Sequence, residues 1–148
     1  MNEKVELEIH SNVQWGIFAR TGDNRYDFPY EARCSVKYTY DSGEVINVIL
    51  TYCGIDAVTL DDNFIGGFGR GSQQDEDGDL AYVDIEWPSD DSKGQLTING
   101  GTGKWAGATG VIYLDVQSRD CPDYEFPLKK PVKVTAIVHG SGQMTKPN

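Results

Sequence analysis

The side chains best suited to chemistry are polar and aromatic residues that share the parity of apolar, inward positions on predicted strands. They are Cys34, Tyr38, Tyr40, Arg70 and Trp87. A tyrosine or arginine taken out of water needs a hydrogen-bond partner, so such groups around an apolar space would form a site that polarises a bound molecule. Ordinary core packing, with tyrosine hydroxyls at the rim, explains the same pattern without any chemistry. Both interpretations stay open at this point.

A competing set of inward residues follows if the strand that begins at Leu80 is shifted by one position. In the favoured register Val83, Ile85 and Trp87 face inward. A shift of one residue reverses every side chain. The residues that would then face inward are Tyr82, Asp84, Glu86 and Tyr113. The two carboxylates in this set could donate or accept a proton.

The strand before it, from Phe64 to Gly71, is rich in glycine on one face. Phe64, Phe68 and Arg70 are expected on the opposite face. Glycine at alternate positions indicates a coiled strand, or one that another element approaches closely.

The elements that position all these side chains are β-strands. Apolar and polar residues alternate, as in Val5, Leu7 and Ile9, and no long segment keeps apolar residues at helical spacing. The run from Glu44 to Tyr52 is apolar at consecutive positions, which predicts a strand covered on both faces. The alternation and the intervening turn residues predict about eight strands in an all-β chain. A sandwich and a closed antiparallel barrel both fit that number.

The charge balance disfavours some partners. With 13 Lys plus Arg against 23 Asp plus Glu, the net charge is -10, which opposes binding to nucleic acid or to a membrane surface. The stretch from Asp75 to Asp91 is acidic and contains no Lys or Arg. Such a run is usually a solvated loop and strand face. Asp75, Asp77 and Asp79 do not complete a calcium loop, because the glycine and the bidentate glutamate of that motif are absent.

The cysteines indicate a reducing environment. Cys34, Cys53 and Cys121 have no CxxC spacing and no neighbouring histidine, so we predict reduced thiols instead of a zinc site or disulfides. Residues 1–20 lack the apolar core of a signal peptide, and no segment approaches the length of a membrane span. We therefore expect one domain over residues 1–148, in the cytoplasm and without a membrane partner.

Glycines punctuate the two predicted strands between Leu96 and Leu114, in the sequence LTINGGTGKWAGATGVIYL. Glycine at this density indicates positive φ, a bulge or close approach of another element. GGTGK is not a phosphate-binding loop, because Lys104 is followed by Trp105 and a strand instead of Ser or Thr and a helix. We expect a structural turn, with Trp105 packing at one end of the β-structure.

The same segment resembles the allene oxide cyclase and dirigent protein superfamily. Members carry a strand that ends in a GG(T/S)G turn, an aromatic residue two positions on, and further glycines where the chain enters the next strand. The matching residues are Gly100, Gly101, Thr102, Gly103, Trp105, Gly107 and Gly110. The resemblance implies an antiparallel eight-stranded barrel, lipocalin-like in outline, with a mostly apolar cavity and no cofactor.

The resemblance also implies a function, in which the cavity folds an unsaturated compound so that one ring closure or coupling product is favoured. We therefore expect a cofactor-independent cyclase or isomerase of a small, largely apolar intermediate of secondary metabolism, assembled as a homodimer or homotrimer. Tyr38, Tyr40 or Arg70 would polarise an oxyanion, and Asp84 or Glu86 would move a proton. The residues expected to bind substrate are Cys34, Phe64, Phe68, Trp87 and Tyr113. The alternatives are a carrier that leaves its apolar ligand unchanged, and an acidic protein-interaction module.

Overall fold

The computed structural model describes residues 2–145, which form nine strands and one 3-10 turn, Gly103–Trp105. The strands are β1 Asn2–Trp15, β2 Ala19–Gly22, β3 Arg25–Tyr40, β4 Val45–Val58, β5 Phe64–Asp75, β6 Leu80–Asp90, β7 Lys93–Gly101, β8 Thr109–Asp120 and β9 Val132–Thr145. Within this range no helix has the length and apolar character needed to cross a membrane. Met1 and residues 146–148, the ends of the predicted single domain, lie outside the described residues, and one domain over 1–148 stays a prediction.

Eight of the strands close into an antiparallel barrel. Their order is β1-β9-β8-β7-β6-β5-β4-β3, and β1 also pairs with β3, which closes the ring. That closing ladder runs from Val5 opposite Tyr40 to Trp15 opposite Tyr30. The remaining strand, β2, is a short partner of β3. The structure confirms the expected all-β, eight-stranded antiparallel barrel.

Alternation decides which side chains fill the barrel, because successive residues of a strand point to opposite faces. In β3, for example, Ala32, Cys34 and Val36 are buried, whereas the residues between them are exposed. Val83 and Ile85 of β6 are each 2% exposed, which confirms the favoured register of that strand.

Strand β4 differs from its prediction. It continues to Val58 and does not end at Tyr52. Its outer face leaves Val45 46%, Ile49 37% and Ile55 40% exposed. A barrel wall is one sheet thick, so only the inner face of each strand is covered by the core. The prediction that both faces of this strand are covered is therefore wrong.

A bulge divides the aromatic residues of β5. The β4–β5 pairing shifts register just after Ala57, and an extra residue of this kind turns the following side chains to the other face. Phe64 lines the barrel interior, whereas Phe68 is 51% exposed and the Arg70 side chain is 79% exposed. The predictions that Phe64 and Phe68 share a face, and that Arg70 points inward, are therefore wrong.

One end of the barrel is closed by the glycine-rich hairpin. Trp105 is 0% exposed and its ring centroid lies 6.3 Å from that of Tyr38. The Trp105 Nε1 donates a hydrogen bond of 2.8 Å to Oδ2 of Asp75, and Nζ of Lys104 lies 3.0 Å from the same oxygen. GGTGK and the acidic stretch thus bind each other. Both play a structural part at the closed end, where Trp105 packs as expected.

Candidate functional site

The other end of the barrel is open and contains a cavity of about 400 Å³, a volume in the range of small-molecule sites. The cavity reaches inward to Ser11, whose Oγ accepts a hydrogen bond of 3.3 Å from Sγ of Cys34. Loops that follow β4, β6 and β8 form its rim. The aromatic residues that line it are Trp15, Phe28, Tyr30, Tyr52, Phe64, Trp87 and Tyr124. A ligand here would be enclosed mainly by aromatic rings.

Aromatic contacts hold the rim against the barrel. The Phe18 ring stacks on Phe28 with centroids 4.3 Å apart, and the backbone N–H of Phe18 donates to the carbonyl of Leu128 at 2.9 Å. The Trp15 ring lies 5.7 Å from Phe28 and 5.8 Å from Tyr124, both edge to face. The cavity wall is therefore fixed by packing between the first and last loops of the chain.

Asp56 is the titratable group of greatest interest in this cavity. It lies near the end of β4 with the same inward parity as Leu50 and Tyr52. Its Oδ1 is buried and has no hydrogen-bond partner among the described residues. Burial raises the pKa of Asp56 to about 7, the positive charge of Arg119 opposes that rise, and the negative charge of Asp91 adds to it. The carboxyl group can therefore gain or lose a proton near neutral pH, as a general acid or base must.

Glycines of β4 and β5 provide the room for the polar groups. Asp56 pairs with Gly67, and a Cβ at Gly67 would lie 1.7 Å from Oδ1 of Asp56. Likewise, a Cβ would lie 2.6 Å from the Tyr30 hydroxyl if placed on Gly54, and 2.7 Å from it if placed on Gly69. The glycine face of β5 thus accommodates both side chains.

Two tyrosines flank the carboxyl group. The rings of Tyr30 and Tyr52 meet edge to face with centroids 5.6 Å apart. The Tyr30 hydroxyl is buried without a hydrogen-bond partner in the described part of the chain. Burial raises the pKa of Tyr30 and that of Tyr52, with smaller contributions from the negative charge of Asp56. Both hydroxyls therefore stay protonated at neutral pH.

A salt bridge spans the rim above Asp56. Arg119, near the end of β8, donates from Nη1 to Oδ2 of Asp91 at 3.1 Å and from Nη2 to the Asp91 carbonyl at 2.7 Å. Arg119 is 30% and Asp91 51% exposed, so the pair contributes little to stability. Its importance is electrostatic, because the two charges shift the pKa of Asp56 in opposite directions.

A second polar contact lies on the rim between Tyr124 and Asp62. The Tyr124 hydroxyl donates a hydrogen bond of 2.7 Å to Oδ1 of Asp62, a residue with a positive φ of 62°. Burial raises the pKa of Tyr124, and the hydrogen bond to Asp62 raises it further.

Between residues 2 and 145, no three or more His, Cys, Asp or Glu side chains are arranged to hold a metal ion.

The structure separates the residues predicted from the sequence into three places. Phe64 and Trp87 line the cavity. Cys34 is buried below the cavity floor, where it contacts Ser11. Tyr38 and Tyr40 are 0% and 2% exposed in the packed half of the barrel and are not among the lining residues.

The other five predicted residues lie on the outer face of the barrel. They are Phe68, Arg70, Asp84, Glu86 and Tyr113. Arg70 and Asp84 do come together there, with Nε of Arg70 3.4 Å from Oδ1 of Asp84, and Tyr113 is 64% exposed. That these residues take part in a reaction stays a prediction, and the structure places them away from the cavity.

Sequence reasoning missed Asp56, Tyr30 and Arg119. A signal existed for Asp56, because the alternation of β4 continued past Tyr52 assigns it to the inner face. No comparable signal existed for Arg119. A register shift in β8 between Val116 and Ser118 reverses the parity just before it.

Together, the fold and the cavity define a class: a small closed barrel, packed at one end, with an aromatic pocket at the other that holds an acid–base group. No family model matches the sequence, and a search of curated proteins finds no match either. Among solved structures, the chain is similar to the pterocarpan synthase dirigent protein GePTS1, with a TM-score of 0.52 and 10% identity over 99% of this chain and 87% of that one. The pterocarpan synthase dirigent protein PsPTS1 gives a TM-score of 0.43 and 11% identity over 96% of both chains. The protein has the dirigent-like barrel fold that the glycine hairpin predicted.

Proposed function

We propose that the protein is a cofactor-independent cyclase or isomerase of a small, largely apolar biosynthetic intermediate, and that Asp56 moves the proton. One observation carries this proposal, namely a carboxyl group of pKa about 7 that lines an aromatic cavity. GePTS1 is a pterocarpan synthase with the same fold, so a barrel of this kind can act on a small biosynthetic compound.

The proposed reaction is a proton transfer without change of oxidation state. Ionised Asp56 accepts a proton from a C–H or O–H group of the substrate, and the electron pair left behind shifts a double bond or closes a ring. The proton then returns from Asp56 to a different atom, so that all atoms and electrons balance. The Tyr30 hydroxyl stays protonated but is packed against Gly54 and Gly69, so it would have to turn into the cavity to donate a hydrogen bond to an oxygen on which negative charge develops. The aromatic walls exclude water and restrict the shape of the substrate.

The acidic interaction module has less support. Of the acidic stretch, Asp75 and Asp77 bind Lys104, and Asp91 binds Arg119, all within the same chain. Charges paired in this way are less available to a basic partner.

We also propose that the protein acts in the cytoplasm as a homodimer or homotrimer. Its net charge of -10 would keep it from binding nucleic acid and anionic lipid.

The proposal is tested by turnover of a panel of small enones, phenols and polyunsaturated ketones, followed by NMR in D2O. We expect isomerisation or ring closure with deuterium incorporation, and a loss of about a hundredfold or more in Asp56→Asn. The matched control is Asp41→Asn, which removes the same charge from an exposed turn at the closed end and should leave the rate unchanged. Binding without turnover by the wild type would overturn the proposal in favour of a carrier. A loss in Arg70→Leu but not in Asp56→Asn would place the chemistry on the outer face.

A further inference from the structure

We propose that the cavity prefers an organic amine, that is, a ligand with an apolar or aromatic body and one ammonium group, over a neutral or anionic compound of the same shape. The inference deepens the proposed function and rests on it, because it names the class of substrate that the same cavity takes.

Acidic groups outnumber basic groups around the cavity. Apart from tyrosine and cysteine, its ionisable lining groups are the carboxyl groups of Asp56, Asp62 and Asp91 and the guanidinium of Arg119. Arg119 already donates two hydrogen bonds to Asp91, so these two charges largely cancel. Asp56 and Asp62 have no ion-pair partner among the described residues, although the charge of Arg119 also acts on Asp56. A positive ligand would therefore gain Coulomb energy on entry, and a negative one would lose it.

The Asp56 carboxyl group has no partner that satisfies it. Its Oδ1 is buried against Gly67 and has no hydrogen-bond partner in the described part of the chain. The groups that face it come from several elements: Tyr30 on β3, Gly67 on β5, Asp91 after β6 and Arg119 on β8. None of these makes a hydrogen bond to the buried oxygen. An ammonium group in the cavity would supply the missing counter-charge and hold Asp56 in its ionised, basic form.

The aromatic wall of the cavity favours an ammonium group independently of the carboxylates. Trp15, Trp87 and Tyr124 line the same space, and the faces of such rings attract cations as well as apolar groups. Aromatic rings next to a carboxylate stabilise an ammonium ion on two sides, whereas a carboxylate ligand would meet the negative faces of the rings.

The test uses two matched series of probes: tryptamine, tryptophol and indolepropionate, and then phenethylamine, phenethyl alcohol and phenylpropionate. Binding to the full chain is measured by calorimetry for both series and, for the phenethyl series alone, also by quenching of tryptophan fluorescence, since Trp15 and Trp87 line the cavity. At about pH 8 we expect each amine to bind roughly tenfold more tightly than its alcohol, and the acid to bind most weakly. Asp56→Asn should remove most of the preference for the amine and leave the smaller part due to Asp62 and the aromatic wall, and Asp41→Asn should keep the whole preference.

A second measurement needs no variant. The amine affinity of the wild type should fall about tenfold between pH 8 and pH 5, because protonation of Asp56 removes the attracting charge, while the alcohol affinity stays constant. The inference is overturned if an alcohol binds as well as its amine, if the acid is preferred through Arg119, or if no amine binds below about 10 mM. Its failure is separable from that of the proposed function. If neutral probes bind more tightly and turnover still depends on Asp56, the amine preference is wrong and the proposed catalysis stands. If amines bind but no substrate is turned over, the proposed catalysis is wrong and the amine preference stands.

Discussion

Asp56 lies directly opposite Gly67 in the β4–β5 ladder, and a Cβ at Gly67 would fall 1.7 Å from the buried Oδ1 of Asp56. The conformation of the carboxyl group thus depends on the absence of a side chain on the neighbouring strand.

Gly67→Ala should therefore displace the Asp56 carboxyl group toward the cavity and its solvent. Greater hydration lowers the cost of ionisation, so the pKa of Asp56 should fall from about 7 toward its ordinary value. The same displacement should reduce turnover about tenfold or more, because general bases require precise position. A carbon-detected NMR titration and the rate measure both effects. Gly22→Ala is the matched control, since a Cβ at Gly22 meets nothing closer than 3.5 Å; an unchanged Asp56 titration in Gly67→Ala would contradict this positioning.

Asp56→Asn should make the protein more stable in alkaline solution. The pKa of Asp56 is raised in the folded protein, so folding takes up a proton between the ordinary pKa of the unfolded chain and about 7. Stability from this group is therefore complete at low pH and is lost as the pH rises through that window. Relative to the wild type, Asp56→Asn should gain about 4 kcal/mol between pH 4 and pH 8, since one pKa unit corresponds to about 1.4 kcal/mol. Urea unfolding at a series of pH values measures the difference, and a constant difference would argue against the raised pKa.

The Arg119 and Asp91 pair should tune Asp56 in opposite directions. Arg119→Met removes a positive charge, so the pKa of Asp56 should rise further. Asp91→Asn removes a negative charge, so the same pKa should fall. NMR titration of Asp56 in both variants gives the result, with a shift on the order of half a unit or more in each direction expected for charges that are partly exposed. Shifts of the same sign in both variants would show that rearrangement of the rim, and not charge, is the cause.

The closed end should be sensitive to acid through Asp75. Burial raises the pKa of Asp75, but hydrogen bonds from Lys104, Trp105 and the backbone amides of Asp79 and Asp77 together hold it below the ordinary value. A lowered pKa contributes stability above the unfolded-state value, and this stability is lost as the pH falls through the folded-state value.

Asp75→Asn should therefore cost about 2 kcal/mol at neutral pH, as expected for buried hydrogen bonds to a charged acceptor. Asp77→Asn is the control, because the Asp77 side chain is 74% exposed although it also contacts Lys104, and it should cost less than about 1 kcal/mol. Thermal unfolding measures the loss of stability in both variants. Equal losses in Asp75→Asn and Asp77→Asn would contradict a larger contribution of the buried carboxylate.

The sequence predicted the strands and most of their inner faces well because alternation is local, whereas the choice of a barrel over a sandwich rested on the family resemblance of the glycine hairpin. Alternation in β3 and β6 specifies inward faces, and the glycine hairpin around Trp105 specifies a turn that packs into the barrel end. The candidate site was harder to predict because its residues come from distant parts of the chain. Asp56 lies in the part of β4 beyond Tyr52, where the apolar run has ended and only the continued alternation assigns it to the inner face.

Arg70 illustrates the other limit of sequence reasoning. Its parity depends on a bulge in the β4–β5 pairing, and a bulge leaves no local pattern in the amino-acid types that would locate it. Arg119 follows a similar register shift in β8. It lines the cavity and binds Asp91, which lies in the turn between β6 and β7. Tertiary pairing, and not local preference, positions both arginines.

The most direct test of a proton-transferring carboxyl group in the cavity is the pKa of Asp56, measured by carbon-detected NMR with Asp56→Asn to assign the signal. The account predicts titration at about 7 in the ligand-free protein. Titration at an ordinary aspartate value, about 4, would contradict it.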